Sequence, residues 1–95
     1  MTRNARRIHR TDGIQAEILD ALHRAGCTTQ SLSSIGGGCP DLLVARAGKL
    51  WLMELKSADG ELAPAQREWS DKWNSPVYLV RTVAQALTTV GLQKQ

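Results

Sequence analysis

Asp41, Glu54 and Lys56 are the residues whose types and spacing could do chemistry in this sequence. Two neighbouring carboxylates hold a hard divalent cation, and an ammonium beside them balances charge; together these parts suit phosphodiester hydrolysis. The chain between them must therefore fold back on itself. Asp41 to Ala45 predicts one strand, Ala47-Gly48 a turn and Leu50 to Lys56 a second strand, which makes a hairpin. Side chains alternate along a strand, so Trp51, Met53 and Leu55 share one face while Leu50, Leu52, Glu54 and Lys56 share the other. Both faces start apolar, as in a strand covered on both sides, before two charges appear at the far end.

The register decides whether the acids meet. A turn of two or four residues centred on Ala47-Gly48 sets Ala45 opposite Leu50, Leu43 opposite Leu52 and Asp41 opposite Glu54. A three-residue turn with a glycine bulge would slip the pairing by one. In the first register the two Cβ atoms lie about 5 Å apart. Unit charges at that distance repel by about 3 kcal/mol at an effective dielectric of about 20, a large share of the roughly 5–15 kcal/mol that holds a domain folded. Protonation, a lysine or a bridging cation would relieve it. Lys56 supplies one positive charge, and the Leu55 carbonyl can point at a bound ion. A surface salt-bridge cluster at the hairpin's open end would use the same residues with no ion, and spacing alone does not separate the two.

Other elements must position this hairpin. Ile14, Ile18, Ala21, Leu22 and Ala25 recur at helical spacing, with Thr11-Asp12 as N-cap candidates, Gln15 completing a capping box and Gly26 closing the helix. Thr28 to Leu32 is a short possible strand, and the run from Ser33 to Pro40, with Gly36-Gly37-Gly38, is a loop. Ser57 to Leu62 is a polar loop; Pro64 opens a helix to about Asn74; Pro76 to Arg81 is a buried strand; Thr82 with Gln85 caps a last helix that Gly91 closes. The order α-β-β-β-α-β-α, an early hairpin followed by a helical crossover, implies an α/β fold with a mixed sheet flanked by helices.

The 95 residues, 42% of them hydrophobic, suit one domain with a modest core. The longest apolar run, Pro76 to Val80, is far below the ~18 residues of a membrane span. The N-terminal arginines are not followed by an apolar stretch, so no signal peptide is read and the protein is expected inside the cell. Cys27 and Cys39 lack the companions of a zinc site or a disulfide framework and are expected reduced. The net charge of +3 is unevenly spread: Arg3, Arg6, Arg7 and Arg10 lie in an acid-free stretch over residues 1–10, and the remainder is close to neutral. A flexible basic arm of this kind suits a polyanion, or is a solvated terminus. Neither His9 nor His23 has a Ser or Cys nucleophile arranged with it, and no phosphate loop of the nucleotide-hydrolase type follows the glycines, so no nucleotide cofactor is expected.

Pro40-Asp41 followed across a hairpin by Glu54-Leu55-Lys56 resembles the PD-(D/E)xK nuclease signature. The segments 36–44, 51–56, 62–69 and 76–81, in that order, are similar to the VRR-NUC family of virus-type replication–repair nucleases, in its compact stand-alone phage and prophage form. The likeness spans roughly residues 12 to 90 and implies a restriction-endonuclease-like architecture. Carried over by position, it implies that Asp41, Glu54 and the Leu55 carbonyl bind Mg²⁺ or Mn²⁺, that Lys56 is the catalytic lysine and that Gln66 organises the site. Gln66 shares a helix face with Trp69, Ser70 and Trp73, so it points toward the sheet; a helix cap is its simpler role. Trp69 and Trp73 are read as core packing. The family also places an acid on its first helix, for which Glu17 is the candidate and Asp12 the rival. Ala63 departs from the Ser or Thr common before the helix proline, at the loss of an N-cap of about 1 kcal/mol. Gly37 and Gly38 lack side chains that would keep a phosphate backbone away.

The expectation is thus a metal-dependent DNA endonuclease, one site per chain. A homodimer acting on branched DNA such as four-way junctions follows from the resemblance, with a place in DNA repair in the cytoplasm, at the nucleoid, of a bacterial or phage-infected cell. The alternative is a catalytically inactive nuclease-fold module that binds DNA or a partner.

Overall fold

The computed structural model describes residues 10–92. In chain order its elements are helix α1 (Arg10–Arg24), strands β1 (Thr28–Ser31), β2 (Leu42–Arg46) and β3 (Lys49–Leu55), helix α2 (Pro64–Lys72), strand β4 (Val77–Val80) and helix α3 (Val83–Thr89). The four strands form one sheet in the order β1-β2-β3-β4. The first three are antiparallel, and β4 returns parallel to β3 after the α2 crossover. This is the mixed sheet flanked by helices that the element order implies.

The hairpin takes the tight turn. Ala47 and Gly48 both have positive φ, 50° and 81°, the primed geometry that matches strand twist. Leu43 pairs with Leu52 and Ala45 with Leu50. This is the register that brings Asp41, one residue before the ladder, opposite Glu54.

Alternation then sorts the side chains. Leu42, Val44, Met53, Leu55 and Val80 are buried on one face with Ile18 and Leu22 of α1 and Ala86 and Val90 around α3. Glu54 lies between Met53 and Leu55 and so points to the other face, where α2 sits.

Helix ends follow their residues, with one exception. Pro64 starts α2, the Thr82 hydroxyl accepts from Gln85 N–H at the head of α3, and Gly26 and Gly91 take the left-handed conformation past their helices. Helix α1, however, begins at Arg10, before the predicted cap. Asp12 therefore lies within its first turn and is not the N-cap; arginine is a good helix former and extends the helix backward. Arg3, Arg6 and Arg7 lie outside the described residues, and Arg10 joins α1 by its backbone.

Candidate active site

The site stands where the β2–β3 ladder opens. Beyond the Leu42–Met53 pair, β2 offers no further backbone partner, and the Asp41 carboxylate takes that place: its Oδ2 accepts from Leu55 N–H at 2.9 Å. The N–H and C=O of one strand residue point to the same edge. The Leu55 carbonyl therefore faces the side on which Asp41 lies.

Glu54 is the buried acid, with 3% of its surface exposed. Burial, then the Asp41 carboxylate alongside, push its pKa from the ordinary 4.5 to about 7, while Lys56 opposes the rise. Two groups hold it in place. Gln66 Nε2 donates to Glu54 Oε2 at 2.7 Å, and Lys56 Nζ lies 3.6 Å from the same oxygen. Gln66 comes from the first turn of α2, and its Oε1 accepts from Ala63 N–H at 2.7 Å. The side chain therefore does both things considered for it: it caps its own helix and reaches the acid.

One glycine of the 36–38 loop has a packing use. A Cβ on Gly38 would sit 2.2 Å from the Ala65 carbonyl oxygen, so this glycine lets the loop pack against the start of α2. The close approach at Gly38 is made by the protein's own backbone. Gly37 borders open space.

Glu17 is exposed on α1, whose apolar side packs on the face opposite Glu54. Among the described residues no three His, Cys, Asp or Glu side chains gather as a metal-binding group, so Glu17 does not join Asp41 and Glu54 there. The donors that remain are two carboxylates and a carbonyl. All are hard oxygens with water positions left open, which fits Mg²⁺ or Mn²⁺ and not a closed zinc cage.

Two features were not foreseen. Cys39 is a free cysteine whose thiol is pushed up by burial first, then by the charges of Glu54 and Asp41. Its place directly before Pro40-Asp41 was the available signal. Trp69 and Trp73 are not core residues: their rings stack at 4.5 Å, and Trp73 is 48% exposed. With Leu43, Leu50 and Leu52 they line a groove of about 590 Å³ on the Glu54 side of the sheet, while Trp51 and Tyr78, at its border, pack against the core of the other face. A single short helix covers this side, too little to bury Trp69 and Trp73.

A solved structure described as a VRR_NUC domain superposes on this chain with a TM-score of 0.65, covering 86% of this chain and 96% of that one at 25% sequence identity. The chain shares the fold of a VRR_NUC domain. No family model and no curated protein matches the sequence. The likeness therefore lives in the fold, and it makes this chain a nuclease-type domain. Within this fold the acid pair, Lys56 and Gln66 converge on one strand end. No helix among the described residues is long and apolar enough to cross a membrane.

Proposed function

We propose that this chain is a Mg²⁺- or Mn²⁺-dependent DNA endonuclease that hydrolyses phosphodiester bonds in branched DNA such as four-way junctions, working as a homodimer. The observation that carries the proposal is the convergence of Asp41, Lys56 and Gln66 on the buried Glu54. A buried carboxylate with a second carboxylate beside it destabilises a fold unless a proton or another positive charge is supplied, and once Glu54 loses its proton above about pH 7, Lys56 supplies only one.

Asp41, Glu54 and the Leu55 carbonyl would hold the ion. When bound, it supplies Lewis-acid polarisation of the phosphoryl oxygen and a more acidic water. Gln66 fixes the rotamer of Glu54, so that both carboxylates keep their aim. Lys56, with its ammonium 3.6 Å from Glu54, can orient the attacking water and offset charge that develops on the phosphorane. One chain holds one such site, and cutting two strands of a junction takes two; hence the homodimer. Arg3, Arg6, Arg7 and Arg10 would add phosphate contacts, which predicts binding that weakens with salt.

The test is incubation with junction, flap and linear DNA in the presence of Mg²⁺, beside the Lys56→Ala variant. Cleavage of the junction by the wild type, lost in the variant, supports the proposal. Equal rates for both proteins assign the activity to a contaminant, and Mn²⁺-independent DNA binding without cleavage favours the inactive binding module.

A further inference from the structure

Arg81 follows β4 directly, and the β3–β4 register, which pairs Leu55 with Val80, puts it next to Lys56 on the neighbouring strand. A basic residue there would be a natural phosphate contact in a nuclease, yet its donors are turned elsewhere. Nη1 donates to the carbonyls of Ser57 and Ala58 at 2.8 and 3.1 Å and to that of Gly60. Nη2 faces the exposed Glu61 carboxylate at 3.8 Å. All these partners belong to the loop between Lys56 and α2.

The same loop lies on Lys56. Gly60 N–H donates to the Ser57 carbonyl at 3.1 Å, which closes a turn. A Cβ added at Gly60 would meet the Lys56 Cβ at 3.3 Å and its Cδ at 3.4 Å. Lysine has a long flexible stem that samples many rotamers when free. Here the stem is walled in, and its side chain keeps only 20% of its surface exposed.

We propose that Arg81 is a positioning residue: by gathering the Ser57, Ala58 and Gly60 carbonyls, it clamps this turn against the stem of Lys56 and holds the ammonium at Glu54. The importance of Lys56 rests on the nuclease reading above; the clamp itself does not.

The experiment compares wild type, Arg81→Ala and Arg81→Lys by two readouts. The first is the rate at which a small acylating reagent modifies Lys56 against exposed Lys72, followed by mass spectrometry. The second is kcat and KM for junction cleavage. Arg81→Ala is expected to speed modification of Lys56 and not of Lys72, and to lower kcat by about tenfold with KM unchanged, as a misaimed group does. Arg81→Lys, which can reach fewer carbonyls, is expected to recover part of both. Unchanged Lys56 modification in Arg81→Ala overturns the proposal. Should that variant fail to fold, Gly60→Ala disturbs the same contact from the loop side, and unchanged Lys56 modification there overturns it equally. Faster Lys56 modification with no cleavage by any protein upholds the clamp and removes the nuclease reading.

Discussion

Gln66 joins Glu54 to the start of α2: one end of its amide donates to the buried carboxylate and the other accepts from the Ala63 N–H. Because Ala63 has no side-chain oxygen to cap the helix, the residue that organises the acid also secures the element on which it rides. Replacing Gln66 by Leu is therefore expected to do two kinds of damage. Loss of the cap costs about 1 kcal/mol, and stripping a buried carboxylate of its donor costs about 1–3 kcal/mol more. Chemical denaturation followed by circular dichroism measures the sum. Adding a serine cap through Ala63→Ser in the same protein should restore stability in part but not cleavage, since the Glu54 contact stays broken.

The raised pKa of Glu54 makes a pH prediction with a definite sign. The folded state binds this proton more tightly than the unfolded chain, so between about 4.5 and about 7 it holds more protons. Stability of the metal-free protein should therefore fall as pH rises through that window, by about 3 kcal/mol from this one group, and level off above it. The Glu54→Gln variant should lack this component, visible as a flatter plot of stability against pH. Added Mg²⁺ should oppose the fall, because the ion binds the deprotonated acid and its affinity grows as the proton leaves.

Two adjacent glycines should answer differently to alanine. Gly38→Ala drives a methyl group into the Ala65 carbonyl and also strains a backbone at φ 91°, whereas Gly37→Ala, at φ 65°, adds strain alone. The first is expected to be destabilising by about 3 kcal/mol or more and the second by about 1 kcal/mol. Comparable melting temperatures for the two variants would contradict the packing role of Gly38.

The hairpin turn offers a stabilising change. Ala47 sits at φ 50°, where a Cβ is disfavoured and Asn or Gly is at ease. Ala47→Asn is expected to raise stability by about 1 kcal/mol with no change in cleavage, because the register that sets Asp41 opposite Glu54 is kept.

The acids, Lys56 and the hairpin register were legible because each follows from local rules. Alternation places Glu54 and Lys56 on one face, and Ala47-Gly48 sets the pairing. Gln66 was legible as a face but not as a bridge, since its double hydrogen bond depends on how α2 meets the sheet. The aromatic residues misled for a related reason: Trp69 and Trp73 have a helical spacing that reads as core, but nothing in the sequence tells that their side of the sheet stays open. Glu17 sits at the edge of the α1 stripe, and a wheel does not say which face of the sheet the helix covers. Arg81 acts through loop carbonyls, which carry no signature in side-chain types.

The most direct test of the central claim is calorimetric titration of the protein with Mn²⁺ near neutral pH, repeated with Asp41→Ala. The acid pair predicts a saturable heat of binding for the wild type that disappears in the variant while the fold, followed by circular dichroism, persists. Equal heats for the two proteins, or none for either, would contradict the claim that Asp41 and Glu54 are held together to receive a divalent ion.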